Sequence, residues 1–510
     1  VTVNVSSIGL KGLEGYRVQV EVQVSKGTES MVIVGLPDAS VKESKERVLS
    51  AIRTLDCDVT DQKIVVNLSP SEQKKNGPLF DLAMAVAVLK ERKQFVEEIR
   101  KETAFIGALS LDGSVVKVEG MLPALIAAKA LGFKRVFLPY DPLIPIEMLE
   151  GIECIVVQHI NDVLQYVRGQ ISLPLPIQSV SVEESISPVE FQKDFSDIIG
   201  QEQAKLALEV AAAGGHNVLM SGPPGCGKSL LAETFSSIFP PLTKQAQLEK
   251  ISLYQLAQEK LESPKTVPYR HPHHSASSVA IIGGGQNPKP GEISLAHHGI
   301  LFLDEMAEFT KKTLDMLRQP LETGKVTISR AHSTVTYPAS FLLIGAMNPC
   351  PCGYLGSNTH YCSCTPKQVQ SYRNRVSGPI FDRIDILLSL HPVNLEQPQG
   401  MRESSADIRN RVEQARDVQY ARYQAEITNA KVPFEQLMKT SPLTSNQQKM
   451  MTQVSSKKQW SNRVQIKMIR LARTLSDLAG EASISDESIW KAMTLRRNHI
   501  SKEHTKARGN

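Results

Sequence analysis

The sequence predicts an α/β protein of two successive α/β units, followed by a helical, basic C-terminal module. Three observations predict it. Runs rich in β-branched residues alternate with Ala-rich stretches at helical spacing through the first third of the chain. A glycine-rich turn, Gly222-Pro223-Pro224-Gly225-Cys226-Gly227-Lys228-Ser229, lies between an apolar strand pattern and an apolar helix pattern. A second apolar run, Ile300-Leu-Phe-Leu, ends in the adjacent acids Asp304 and Glu305. With 510 residues the chain is long enough for roughly two to four cores. Its 41% apolar and 22% charged residues exclude a disordered or fibrous class.

The elements follow in order. Val18–Val24, Met31–Val34 and Ile64–Leu68 alternate as strands do, and Ser40–Arg53 places Val41, Val48, Leu49 and Ile52 on one helical face. Leu79–Leu89 and Pro123–Leu131 read as Ala-rich helices, and Arg135–Leu138 as a further strand. Together they predict a compact mixed α/β domain over residues 1–172. Prolines and serines in residues 173–192 predict a linker. The second unit, residues 193–395, has strands at Asn217–Met220, Ile300–Leu303 and Phe341–Ile344. Residues 396–500 carry helical pattern broken near Pro433 and Pro442, and residues 501–510 read as a frayed tail.

Charge and cysteine use narrow the class. The net charge of +5 says little alone. From Ser441 to Asn510, however, 13 Lys or Arg face 5 Asp or Glu. Such a module suits a polyanion partner, and it equally suits an ordinary helical domain. Seven cysteines are too few for a disulfide scaffold. No apolar run is long enough to span a membrane, and the first residues lack a basic-then-apolar leader, so the expectation is a cytoplasmic, reduced protein without a membrane partner.

The glycine-rich turn satisfies the pattern that wraps backbone N–H groups around phosphates at a helix N-terminus, so ATP and magnesium are the expected ligands. Lys228 is expected to reach the β/γ-phosphates and Ser229 to hold magnesium. Asp304 and Glu305 are delivered where open α/β sheets place ligands. Asp304 would serve magnesium and Glu305 would polarise the attacking water. Asn348, just past the strand at 341–344, is placed to hold that water. Cys226 presents its backbone to the loop, while Cys57 and Cys154 read as buried small hydrophobes. Four further thiols, Cys350, Cys352, Cys362 and Cys364, have the spacing C-x-C-x9-C-x-C. They predict a structural tetrahedral zinc. His360 standing in for one ligand, free reduced thiols, and an iron–sulfur cluster are the alternatives. The histidines at 271, 273, 274, 297 and 298 lack ligand spacing and read as contacts to DNA or another subunit.

The pair GPPGCGKS and LFLDE, with Asn348 after the next strand, resembles the AAA+ ATPases. The segments beginning at Arg270, Gly291, Leu317 and Val326, with Gly35-Leu-Pro-Asp-Ala-Ser, resemble the magnesium-chelatase-like YifB/ComM family over nearly the whole chain. The resemblance implies an AAA+ P-loop core with a helical lid, assembled as a ring, expected to be a hexamer. It implies a hairpin at 324–336 whose Lys325 and Arg330 contact DNA in a channel, the plain alternative being solvated charges. It implies that Arg383 is an arginine finger and Arg463 a sensor-2 arginine, with Arg375 and Arg373 as rivals for the finger. It also implies a DNA helicase that drives branch migration in homologous recombination during natural transformation, with a recombinase as a candidate contact.

The N-terminal domain resembles the Lon-protease, ribosomal-S5-like fold. The positions matching that family's nucleophile and base are Leu79 and Leu122, and leucine can neither attack a carbonyl nor take a proton. Displaced roles for Ser71, Lys74 or Lys75 have no support in the spacing. Three functions compete: a DNA motor, a chelatase-type ATPase that remodels a protein partner without touching DNA, and an ATP-dependent protease. The leucines argue against the last.

Overall fold

The computed structural model describes residues 3–170, 193–285, 288–330, 333–357, 360–393 and 402–496. The expected linker at 173–192 and the tail at 501–510 lie outside the described residues, as do the side chains of Arg330 and Ser333. The chain divides into two compact units. One comprises residues 1–187 with two later segments, 243–264 and 328–337, and the other holds the remainder. No helix among the described residues is long and apolar enough to cross a membrane.

The first unit is built on a seven-stranded mixed sheet. Its spatial order is Ser30–Val34, Gln62–Ser69, Glu14–Lys26, Val3–Lys11, Thr103–Phe105, Arg135–Leu138 and Glu153–Val156. The long central ribbon is antiparallel, Val3 pairing with Val22 and Val20 with Leu68. The outer strands run parallel to their neighbours. Alternate burial along Gln62–Ser69 shows why its Ile64, Val66 and Leu68 must share one face. The helix Ala39–Arg53 starts where Asp38 accepts from the Val41 N–H at 2.8 Å, which fixes its first turn. The helix Asp81–Glu91 is buried along nearly its whole length, consistent with its Ala-rich sequence. Met121–Ala130 packs against the returning helix Lys244–Ala257, whose Leu248 and Ile251 join the same apolar cluster. That return is not visible in a sequential division, because nothing local in residues 243–264 names its packing partner.

The second unit carries a five-stranded sheet in the order Tyr269–Arg270, Ile300–Leu303, Leu342–Met347, Val218–Ser221 and Ile386–Ser389. Every neighbouring pair is parallel. Helices cover such a sheet on both faces, so its strands read as unbroken apolar runs; Ile300–Leu303 and Leu342–Met347 are buried at every position. Helix Glu202–Gly214 ends at Gly215 in the left-handed region. After residue 402 come helices Ser405–Tyr423, Phe434–Thr440, Ser445–Lys458, Asn462–Leu478 and Asp486–Leu495, with Pro433 at a helix start as expected of proline.

Much of the charge of this helical module is spent internally. Arg473 is fully buried and meets Asp477 at 2.9 Å and the carbonyls of Glu481 and Ala482. Arg422 also binds Asp477, and Asn429 donates to it at 2.8 Å. Lys467 pairs with Asp385 at 2.8 Å, while Arg470 and Arg496 donate to backbone carbonyls. The excess of cations noted in the sequence therefore overstates the positive surface.

Candidate nucleotide site

Parallel pairing brings the sequence-separated motifs together. The strand Leu342–Met347 lies between the two motif strands, with Ser221 level with Met347 and Leu303 level with Gly345. The chain leaves each strand at the same end of the sheet. Gly222, Asp304 and Asn348 therefore emerge side by side, although 126 positions separate the first from the last.

The loop at 222–229 turns through Gly225 and Gly227, whose φ of +75° and +90° few side chains tolerate. The helix Lys228–Thr234 follows directly. The Lys228 ammonium donates to the carbonyls of Gly222 at 2.7 Å and Pro223 at 2.9 Å, and to Asn348 Oδ1 at 3.2 Å. Ser229 Oγ donates to Asp304 Oδ2 at 3.1 Å. The structure thus gathers Lys228, Ser229, Asp304 and Asn348, four of the residues singled out from sequence. Cys226 is buried with its sulfur 3.8 Å from the Lys228 ammonium, and burial pushes its thiol up, as befits a packed and unreactive sulfur.

Glu305 stands at φ +47°, a left-handed backbone that is uncommon outside glycine and clusters at functional sites. Its N–H donates to Asp304 Oδ1 at 2.8 Å, which locks the two acids into one turn. His274 Nδ1 lies 3.4 Å from Glu305 Oε2. Sequence reasoning missed this partner, since a histidine 31 positions upstream gives no local signal. It missed Tyr372 as well, whose hydroxyl accepts from the Asn348 N–H and whose phenol burial pushes up to about 12. The strand before Asn348 also runs to Met347 rather than stopping at Ile344, so Asn348 sits at the strand end itself.

A second group forms elsewhere in this unit. Arg383 donates to Pro379 O at 2.6 Å and binds Glu322; Arg463 reaches the same Glu322 oxygen at 3.5 Å. Both line a cavity of about 610 Å³ with Lys431, Lys467 and Arg470. Residues 222–229, Asp304, Glu305 and Asn348 are not among its lining. The rival Arg375 pairs with Glu308 at 2.7 Å, behind the acidic turn, and Arg373 lines a different cavity with Gln370 and Arg496.

The four cysteines also converge. Their sulfurs all lie within 4.8 Å of one another, and Cys350 is buried while the other three are half-buried. The His360 ring instead stacks on Tyr354 at 4.7 Å. Lys325 is exposed on a hairpin made by Lys325–Arg330 and Ser333–Pro338.

Three family models match in succession: Subunit ChlI of Mg-chelatase over residues 20–142, Magnesium chelatase, subunit ChlI over 194–398, and Magnesium chelatase, subunit ChlI C-terminal over 402–496. The protein YifB of Escherichia coli is 36% identical over 490 residues, 95% of either chain. The chain belongs to the YifB/ComM family of magnesium-chelatase-like AAA+ ATPases. Competence protein ComM of Haemophilus influenzae shares the same 36% identity over 95% of both chains. Lon protease 2 of Bacillus subtilis is more distant, 27% identical over 199 residues and 34% of this chain.

As a member of this family the chain has the architecture of a nucleotide-hydrolysing AAA+ enzyme. Protease chemistry has no footing in it. Leu79 and Leu122 are both buried in one apolar cluster, and the Lys75 ammonium is bound to the Pro70 carbonyl.

Proposed function

We propose that the chain is an ATP-hydrolysing motor subunit of the magnesium-chelatase type, which remodels a protein partner as part of a ring of identical copies. The observation that carries this reading is the convergence of Lys228, Ser229, Asp304 and Asn348 at three neighbouring strand ends. In it, residues 222–229 are the P-loop, whose backbone N–H groups hold the β- and γ-phosphates with the Lys228 ammonium. The Ser229 hydroxyl and Asp304 carboxylate are hard oxygen donors 3.1 Å apart, a donor set that fits magnesium. When bound, magnesium supplies charge neutralisation on the transferring phosphoryl group. Glu305 takes the proton of the attacking water, and Asn348 orients that water from the next strand end. The helices after residue 402 act as the lid. The N-terminal unit, Lon- and S5-like in this reading, is an assembly platform.

Arg383 and Arg463 act on ATP held by a neighbouring copy. Their shared contact with Glu322, in a cavity that excludes the P-loop, supports action in trans. Each half of the site is then inert alone. We expect Lys228→Ala and Arg383→Ala each to lower ATP turnover by roughly 10³-fold. An equal mixture of the two inactive proteins should regain measurable turnover, because mixed rings pair an intact P-loop with an intact arginine. A mixture as inactive as its components would remove Arg383 from this role. Glu305→Gln should keep nucleotide binding and lose hydrolysis.

A second reading has its own support. Likeness to a protein named for competence, with Lys325 exposed on the hairpin, favours a DNA motor that drives branch migration. ATP turnover measured with a synthetic four-way junction, linear duplex and no DNA separates the two readings. Junction-stimulated turnover with strand movement selects the DNA motor; turnover indifferent to all DNA selects the protein remodeller.

A further inference from the structure

Among its described residues, the loop between the strand Leu342–Met347 and the helix Pro366–Arg373 has little burial of its own. Those residues contain no helix or strand, and only Cys350 and Gly353 among them are buried. Tyr361, its largest apolar surface, is 92% exposed. A segment this polar cannot repay its conformational entropy by burial. It nevertheless holds its four sulfurs in one group, with Cys350 to Cys352 at 3.3 Å, Cys352 to Cys362 at 3.6 Å and Cys350 to Cys362 at 3.7 Å. Four thiolates at about 2.3 Å around a tetrahedral zinc would stand about 3.8 Å apart. Backbone N–H groups of Tyr354, Cys364 and Cys352 donate to the sulfurs of Cys352, Cys362 and Cys364. Such bonds orient and stabilise thiolate ligands.

The loop also touches the nucleotide site twice. It begins at Asn348, whose side chain accepts from the Lys228 ammonium. One residue after Cys352, Gly353 runs at φ +84° against the phosphate loop, so close that a Cβ there would lie 2.9 Å from Pro224 Cδ. The two contacts flank Cys350 and Cys352 in the chain.

We propose that Cys350, Cys352, Cys362 and Cys364 bind one zinc ion per chain, and that this ion braces Asn348 and Gly353 against residues 222–229, so that zinc occupancy sets nucleotide affinity. The coupling rests on the ATP-site reading above; the metal site does not. Binding is to thiolates, so each cysteine that ligates gives up its proton.

The test uses the full chain. Zinc is measured by elemental analysis and by release with a mercurial thiol reagent, and nucleotide affinity by a fluorescent ATP analogue without turnover. The native protein should hold about one zinc per chain. Cys352→Ser with Cys364→Ser should lose zinc and weaken nucleotide binding tenfold or more, with the main thermal transition retained. Gly353→Val keeps all four ligands but presses on Pro224, and should keep zinc while losing affinity. A native chain with no zinc, or with iron in its place, overturns the site. A zinc-free double variant that binds nucleotide as the native protein does overturns the brace. Native protein that holds zinc and binds no nucleotide overturns the brace together with the ATP reading, and leaves the metal site standing.

Discussion

At the scale of single residues, Asn348 has the most to lose. Its side chain accepts from Lys228, its N–H donates to Tyr372, and it starts the cysteine loop. Asn348→Ala removes the side-chain contact and leaves the backbone ones. We therefore expect nucleotide affinity to fall only modestly, because Gly353 still holds the loop against residues 222–229, while turnover falls by roughly 10²-fold, the scale of losing one preorganised polar group. Equal losses in affinity and turnover would mean that the side chain serves binding alone. His274 makes a different prediction. Placed 3.4 Å from the Glu305 carboxylate, it holds that group in one position, so His274→Ala should change turnover while His274→Gln preserves part of it. The glycine-rich loop, the acids and Asn348 were legible in the sequence because each follows an apolar run that can only be a strand. His274 and Tyr372 were not, since their contacts depend on tertiary packing.

At the scale of elements, the helix Asn462–Leu478 is organised around its own charges. Asp477 receives Arg473 from one turn earlier, Arg422 from a second helix, and Asn429 from the connecting loop. Asp477→Ala would leave two arginines facing a buried void, and we expect it to destabilise the protein by about 3–5 kcal/mol in thermal or denaturant unfolding. Asp385 offers a pH test. Burial pushes its carboxyl up, but Lys467 and His216 outweigh that and hold it well below the usual carboxylate range. A depressed group stabilises the fold above its unfolded value of 3.8, and that contribution is lost as pH falls through the folded value. The stability gap between native protein and Asp385→Asn should thus be full at neutral pH and narrow as pH drops below about 4. Periodicity revealed these helices, whereas the partners of their charges could not be read from it. The cations counted from Ser441 onward suit a polyanion partner and an ordinary helical domain equally, and the internal partners of Lys467, Arg470, Arg473 and Arg496 fit the second.

At the scale of the molecule, the proposed completion of the hydrolytic site by another copy predicts that activity depends on assembly. Specific turnover should rise with protein concentration and reach a plateau when rings are saturated; a rate per chain that stays constant from dilute to concentrated protein would count against the shared site. The first unit was legible as mixed α/β through its alternating strands, and its missing protease chemistry through two leucines. Its recruitment of residues 243–264 was not, because that helix reads like any other amphipathic segment until its partner is known.

The order of the second sheet has a consequence for how such a protein can diversify. After residues 222–229 the chain makes a long excursion and returns first at the edge, as Tyr269–Arg270, and only then as the strand bearing the acids. The glycine-rich loop at 222–229, the acidic turn and Asn348 are held by register with one another, not by the length of chain between them. Excursions can lengthen, shorten or acquire new surfaces while strand pairing keeps the chemistry in alignment. Evolution can thus exchange the surfaces such a fold presents without disturbing the strand ends that align its motifs.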